Sequence, residues 1–310
     1  MQPVVPFEPV LATRIPDGSQ WIAQVKWDGV RVLTYYDGVT VRLFNRKLHE
    51  RTMQYPELVD IGHYCAARSV ILDGEIIALV NGKPSFHQVM KRDGIRLAAK
   101  VEQARRLTPI VYMIYDILFL NGEWVVDQTL VSRQQLLSRI IRPQEHVQTV
   151  ENFPDGPQLF NAVQNAGLEG IVCKRTDSRY AIDRKDERWQ KIKNYRDVVA
   201  VLGGVTYRDG VANAILLGLY DREGRLWYIG HAGTGKLSGT DWRALTEKVK
   251  NLATKEHPFF NQPLRLKDAV WLQPLLTAKV QFLEWTAGMT LRQPSIQSFI
   301  DVPPESCQFE

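Results

Sequence analysis

Cysteine is scarce in this 310-residue chain: Cys65, Cys173 and Cys307 are an odd number at wide spacing. They suggest neither a disulfide framework nor a zinc site of paired cysteines, and read as small buried or surface residues. No apolar run approaches the length of about 20 residues that spans a bilayer, and Met1 to Pro9 has neither the basic nor the apolar region of a secretory leader. A cytoplasmic protein with no membrane partner is therefore expected. A proline- or serine-rich linker, an internal repeat and a low-complexity tract are all missing too. What is plentiful is ordinary: 45% hydrophobic and 24% charged residues, enough for one large or two medium cores, with two domains the better expectation. Lys and Arg number 39 against 34 Asp and Glu, a net charge of +5 with a pI near 9.0. That balance is compatible with a polyanionic partner such as nucleic acid, although many basic proteins bind nothing acidic.

The first half places turn dipeptides between β-rich runs. Asp37-Gly38 separates Val30–Tyr36 from Val39–Phe44, and Asn81-Gly82 follows Glu75–Val80, both hairpin signals because such pairs tolerate positive φ. Helices are expected over Leu97–Arg106, over Ser132–Ile141 with Ser132 as N-cap, and over Pro157–Ala166 closed by Gly167. This half reads as α+β with antiparallel sheets. After Tyr195 the texture changes to strands at Val198–Val205, Ala214–Tyr220, Arg225–Ile229, Val270–Leu272 and Ala278–Trp285, with one helix at Asp241–Leu252. Five short strands around one helix suggest a small β-barrel of the oligonucleotide-binding (OB) type. The expected domains are 1–197 and 198–310, hinged near Arg196 and Asp197.

Lys26-Trp27-Asp28-Gly29 lies between two β-rich runs, so that Asp28-Gly29 can turn the chain and present Lys26 beside the next strand. Alone it reads better as a solvated lysine beside a hairpin. An ordered series follows: Arg46; Asp73-Gly74-Glu75; Tyr115-Asp116; Glu169-Gly170-Ile171-Val172-Cys173-Lys174; and Trp189-Gln190-Lys191-Ile192-Lys193. With these motifs the chain resembles the covalent nucleotidyltransferase superfamily and, within it, the ATP-dependent DNA ligases. It is most similar to the ligase modules of bacterial end-joining proteins, which share the Lys-Trp-Asp-Gly start and a Leu-Arg-x-Pro-Ser element, here Leu291 to Ser295. The resemblance runs from about Val25 to Asp301. It implies a nucleotidyltransferase (adenylation) domain followed by an OB-fold domain, a Lys26-AMP intermediate, ATP and magnesium (manganese as the alternative), and nicked double-stranded DNA as substrate. It further implies a monomer working near the nucleoid, with Ku or another repair protein as a partner.

The residue chemistry is consistent with that resemblance. A nucleophilic lysine must shed its proton, and converging cations, Arg31, Lys191 and Lys193, would disfavour its charge and neutralise phosphates. Lys191 and Lys193 alternate along a strand and so share a face, which could also be a plain solvated face. Glu75 and Glu169 are isolated carboxylates in apolar strands, costly to bury unless paired or metal-bound. By the resemblance Glu169 goes to the metal and Glu75 to ribose or metal. Tyr115 corresponds to an adenine-stacking aromatic, though in its apolar run it could be core; Gln24 stands where relatives often have a Glu that contacts adenine. Arg46, Lys174 and Arg292 complete the implied nucleotide contacts. In the C-terminal element Ile300 replaces a common second arginine, leaving Arg292 alone there. Gly230 to Lys236 imitates a phosphate-binding loop, but Leu237 follows where Ser or Thr should hold magnesium, so that reading is rejected. An mRNA guanylyltransferase, an RNA ligase and a non-catalytic DNA-binding module remain the rival readings.

Overall fold

The computed structural model describes all residues except Thr234, residues 264–267 and Glu310. It divides into two compact units, Met1–Asn194 and Tyr195–Glu310. Arg196 and Asp197, expected at the hinge, open the first strand of the second unit.

The strands of the first unit are β1 (Glu8–Leu11), β2 (Trp21–Val25), β3 (Val30–Tyr36), β4 (Val41–Asn45), β5 (Val70–Ile77), β6 (Leu79–Val80), β7 (Lys83–Pro84), β8 (Val111–Leu120), β9 (Glu123–Trp124), β10 (Val147–Thr149), β11 (Gly170–Arg175) and β12 (Lys185–Lys193). They form a four-stranded sheet in the order β1-β12-β11-β2, a six-stranded sheet in the order β10-β8-β5-β3-β4 with β9 on β8, and a separate two-stranded pair, β6 with β7. Most pairs are antiparallel; β1 with β12 and β10 with β8 are parallel. Phe7, Leu33, Tyr35, Ile71, Leu118, Tyr180 and Trp189, drawn from both sheets and their connections, pack into one buried cluster. Such a shared layer holds two sheets face to face, and a cleft at its margin is the natural place for a site.

Helices α1 (Phe86–Asp93), α2 (Val101–Leu107), α3 (Leu130–Ile140) and α4 (Gly156–Ala166) cover this unit. Two expectations need correction. Helix α3 begins two residues early, because Thr129 rather than Ser132 is its N-cap: Thr129 Oγ1 accepts from the Ser132 N–H, and the earlier start buries Leu130. The helix expected at Leu97–Arg106 is a 3₁₀ turn, Ala98–Lys100, running into α2. Gly167 closes α4 in the left-handed conformation at φ 66°.

The second unit contains β13 (Arg196–Arg208), β14 (Val211–Tyr220), β15 (Leu226–Ala232), α5 (Gly239–Lys250), β16 (Ala253–Thr254), β17 (Val270–Leu272), β18 (Thr277–Phe282) and β19 (Ser295–Ile300). β13 pairs with β14 and β18, β14 with β15, and β18 with β19, all antiparallel, around one buried apolar cluster. Five strands in that order, with a helix after the third, follow the OB plan. The expected barrel is not closed by a ladder among the described residues. A single parallel bridge, Gly235 to Ile296, spans the edge between β15 and β19. At Gly235, φ is 149° and a Cβ would lie 2.0 Å from the Ile296 carbonyl oxygen, so this glycine serves a close backbone approach. The Lys236 N–H also donates to Ile296 O at 2.8 Å. Gly235 and Lys236, the last two residues of the stretch that imitates a phosphate site, are thus committed to their own sheet.

Candidate active site

Lys26 follows the last residue of β2, and its N–H donates to Gly170 O at 2.9 Å, which fixes the chain beside β11. Gly29 lets the next turn pass under β5: a Cβ there would lie 2.1 Å from the Ile76 carbonyl oxygen. Register then decides what Lys26 meets. Val172 of β11 is opposite Gln24 of β2 and Lys191 of β12, Lys174 is opposite Trp189, and Gly170 is opposite Lys193. Because side chains alternate along a strand, Gln24, Lys26, Val172, Lys174, Lys191 and Lys193 share one face, while Ala23, Ile171 and Cys173 pack under α4 on the other.

On that face Lys26 Nζ lies 2.5 Å from Glu169 Oε2, and Lys193 Nζ lies 3.9 Å from Glu169 Oε1. One nearly buried carboxylate therefore sits between two lysines. Burial lowers the Lys191 ammonium below its ordinary range, and the neighbouring charges of Lys26 and Lys185 add to the effect. The opposing sheet contributes Arg31 and Glu75, directly paired across β3 and β5. Burial pushes the Glu75 carboxyl up to about 8, more than the nearby cations of Lys26 and Arg31 bring it down, and Glu169 adds to the rise. Glu75 and Glu169 feel each other's charge, and two such carboxylates, once ionised, suit a hard divalent cation that also takes phosphate and water oxygens. Among the described residues no group of three or more His, Cys, Asp or Glu side chains comes together as a metal site would require.

Tyr115 owes its place to an irregularity. Between Asp73 and Gly74 the partner on β8 jumps from Asp116 to Ile114, leaving Tyr115 as the extra residue of a bulge. A bulge re-aims a side chain, here into the cluster between the sheets. Lys174 Nζ lies 4.4 Å from the Tyr115 ring centroid and 3.9 Å from that of Trp189, and has no hydrogen-bond partner among the described residues. Burial lowers this ammonium to about 7, beyond what Asp116 and Asp73 restore.

The remaining expected residues are more scattered. Gln24 is buried, its Nε2 donating to Asn152 Oδ1 at 2.7 Å. Arg46, largely exposed in the turn after β4, has Nη1 3.3 Å from Glu8 Oε1. Arg292 belongs to the second unit, where its Nη1 is 2.8 Å from Glu284 Oε1. Two further residues were given no role by the sequence. Asp73 is fully buried and receives Arg31 in a two-pronged pair, Nε to Oδ1 at 2.9 Å and Nη2 to Oδ2 at 2.6 Å. Tyr180 donates to the same carboxylate at 2.7 Å. These contacts pin the Arg31 guanidinium, since a planar fork matched to a carboxylate has little freedom. Asp73 carried a signal, an acid inside an apolar strand beside Glu75; Tyr180, in a loop, carried none.

Comparison with known proteins identifies the family. Residues 9–193 match the ATP dependent DNA ligase domain, and residues 208–300 match the ATP dependent DNA ligase C terminal region. The multifunctional non-homologous end joining DNA repair protein LigD of Mycobacterium tuberculosis is 33% identical over 286 residues, 89% of this chain and 36% of that protein. DNA ligase 2 of Methanosarcina acetivorans is 31% identical over 245 residues, 73% of this chain and 43% of that protein. This chain therefore spans less than half the length of either relative. A solved structure of mycobacterial DNA ligase D complexed with ATP and MES superposes with a TM-score of 0.55 at 30% identity, covering 99% of this chain and 98% of that one. With its first unit and most of its second matched in order, the chain belongs to the ATP-dependent DNA ligases.

Proposed function

We propose that the chain seals nicks in duplex DNA through a covalent AMP on Lys26. The observation that carries the reading is Lys26 Nζ against Glu169, with Lys191 and Lys193 on the same face. The Lys26 amine, having lost a proton, attacks the α-phosphorus of ATP; the N–P bond forms as the bond to pyrophosphate breaks. The AMP then passes to the 5′-phosphate of a nick, freeing Lys26, and the 3′-hydroxyl attacks that phosphate, releasing AMP as the phosphodiester forms. Each step is an in-line displacement that depends on positioning and on charge neutralisation.

Lys191 and Lys193 neutralise phosphate charge, and Arg31, held by Asp73 and Tyr180, offers a fixed cation to the nucleotide. Tyr115 lies against the base, and Gln24 reads its edge. Arg46, Lys174 and Arg292 are assigned to nucleotide contacts on the strength of the family resemblance. Glu75 and Glu169 would hold magnesium, or manganese, which would draw off phosphate charge and compete with Lys26 for Glu169. The curated relatives named for non-homologous end joining support a place in break repair, with Ku or another repair protein as partner. The first unit is the adenylation domain on this reading, and the second grips DNA. The experiment is incubation with α-labelled ATP or GTP: a covalent adduct with ATP, mapped by peptide mass to Lys26, is expected. Labelling by GTP in preference would point to a guanylyltransferase instead.

A further inference from the structure

Gln24 does not act alone. Its Nε2 donates to Asn152 Oδ1 at 2.7 Å, Asn152 Nδ2 donates to Gln134 Oε1 at 3.1 Å, and Gln134 Nε2 donates to the main-chain carbonyl of Tyr115 at 2.7 Å. Three side-chain amides from β2, the loop before α4, and α3 thus form one chain that ends on the residue proposed to face the base. A side-chain amide can ordinarily turn over, exchanging donor for acceptor at little cost. This chain cannot turn over piecemeal, because its last link is a main-chain carbonyl, which only accepts. The Tyr115 oxygen demands the Gln134 amino group; that leaves the Gln134 oxygen for Asn152, which must donate; that leaves the Asn152 oxygen for Gln24, which must donate in turn. Turning any one amide would set donor against donor or acceptor against acceptor.

We propose that Asn152 and Gln134 are positioning residues for base selection, fixing Gln24 so that its amide oxygen, an obligate acceptor, is what a purine's six-position meets. Adenine carries an amino donor there and is accepted; guanine and hypoxanthine carry an oxygen and are repelled. A glutamate at position 24 would be an acceptor by its nature. A glutamine needs to be told which way to lie, and the amide chain supplies that instruction. The same chain also ties the base-reading side chain to the backbone of Tyr115, so that edge and face of the base are read by one connected unit.

The inference rests on the proposed Lys26 adenylation, and the test separates the two. Lys26 labelling is measured with α-labelled ATP and inosine triphosphate, which differ at the six-position and the adjoining ring nitrogen. Wild-type protein should prefer ATP; failure to label with either nucleotide would count against the adenylation reading itself. In Asn152→Leu, Gln24 is free to turn, and the ATP preference should fall about tenfold, chiefly through faster inosine labelling. Asn152→Asp gives up the bond to Gln134 Oε1 but still accepts from Gln24 Nε2, so it keeps the amino group of Gln24 turned toward it and should hold the preference above that of the leucine variant. An unchanged preference in the leucine variant, or an equal loss in the aspartate variant, would overturn the proposal. Because the readout is a ratio of two nucleotides on one protein, a uniformly less stable variant does not imitate the expected result.

Discussion

Lys26 Nζ and Glu169 Oε2 lie 2.5 Å apart although 143 residues separate them in sequence. On the proposed reading, the contact holds the amine that would attack ATP as one partner of an ion pair whose other partner is the carboxylate that would take the metal. Release of Lys26 and capture of a cation would then be two sides of one exchange at Glu169.

Removing that carboxylate should therefore affect more than metal affinity. In Glu169→Ala, Lys26 loses its positioning partner and the site loses half of its acidic pair, so ATP labelling should fall by at least about a hundredfold, as when a positioned ligand or its support is lost. Raising magnesium should not restore it. Recovery at high magnesium would reduce Glu169 to one replaceable ligand.

The backbone beside Lys26 tolerates no Cβ. Gly170 has φ of 149°, and a Cβ there would lie 2.1 Å from the Ile192 carbonyl oxygen, between β11 and β12. Gly170→Ala should cost roughly 2 kcal/mol or more and lower the melting temperature by roughly 4 to 8 °C. Calorimetry of the variant beside wild type measures this, and a shift under one degree would show that the strands separate without cost.

Lys174 makes a prediction about pH. Its ammonium, buried between Tyr115 and Trp189, is lowered to about 7 in the folded protein from an ordinary 10.5. Between those values the unfolded chain binds the proton and the folded one does not, so this residue adds stability as pH rises through that window and loses it as pH falls toward 7. Relative to Lys174→Met, wild type should gain by at most roughly 1.4 kcal/mol per pH unit across the window. Paired denaturant titrations from pH 6 to pH 10 measure the difference; a difference that does not change with pH would mean that the lysine is solvated.

The glycine-rich loop after β15 should be dispensable for the first chemical step. Lys236 is exposed, and the contact it makes to Ile296 runs through its main chain, so Lys236→Ala keeps that bond. ATP labelling should remain within twofold of wild type, with any loss confined to DNA affinity and strongest at low salt. A variant that folds normally by circular dichroism yet no longer labels would restore the phosphate-loop reading.

Much of the site was legible because its residues announce themselves locally. Lys26 before Asp28-Gly29, Glu75 after Asp73-Gly74, and Glu169 before Gly170 each break an apolar or turn pattern in a way that core residues do not. Alternation put Lys191 and Lys193 on one strand face, and only the neighbouring motifs made that face a candidate site. What stayed hidden depends on register and on distant partners. The bulge that re-aims Tyr115 exists only in the pairing of β5 with β8, and Asn152, Gln134 and Tyr180 are ordinary polar residues until the fold aligns them. Helix α1 was missed although Ser85 caps it, because the run Phe86–Asp93 is short and mostly polar. Its interior Arg92 is fully buried through bonds to Glu57 and to the carbonyls of Gln54 and Thr108, a use of arginine that periodicity treats as solvent-facing.

The most direct test of the account follows Lys26→Ala on two substrates. With labelled ATP and an ordinary nick, the variant should form no covalent adduct and no sealed product, because the nucleophile is gone. With a nick whose 5′-phosphate already carries AMP, it should still seal, more slowly than wild type, because the last displacement uses the 3′-hydroxyl and not the lysine. Labelling of the variant by ATP would contradict the account outright, since the AMP would then be carried elsewhere.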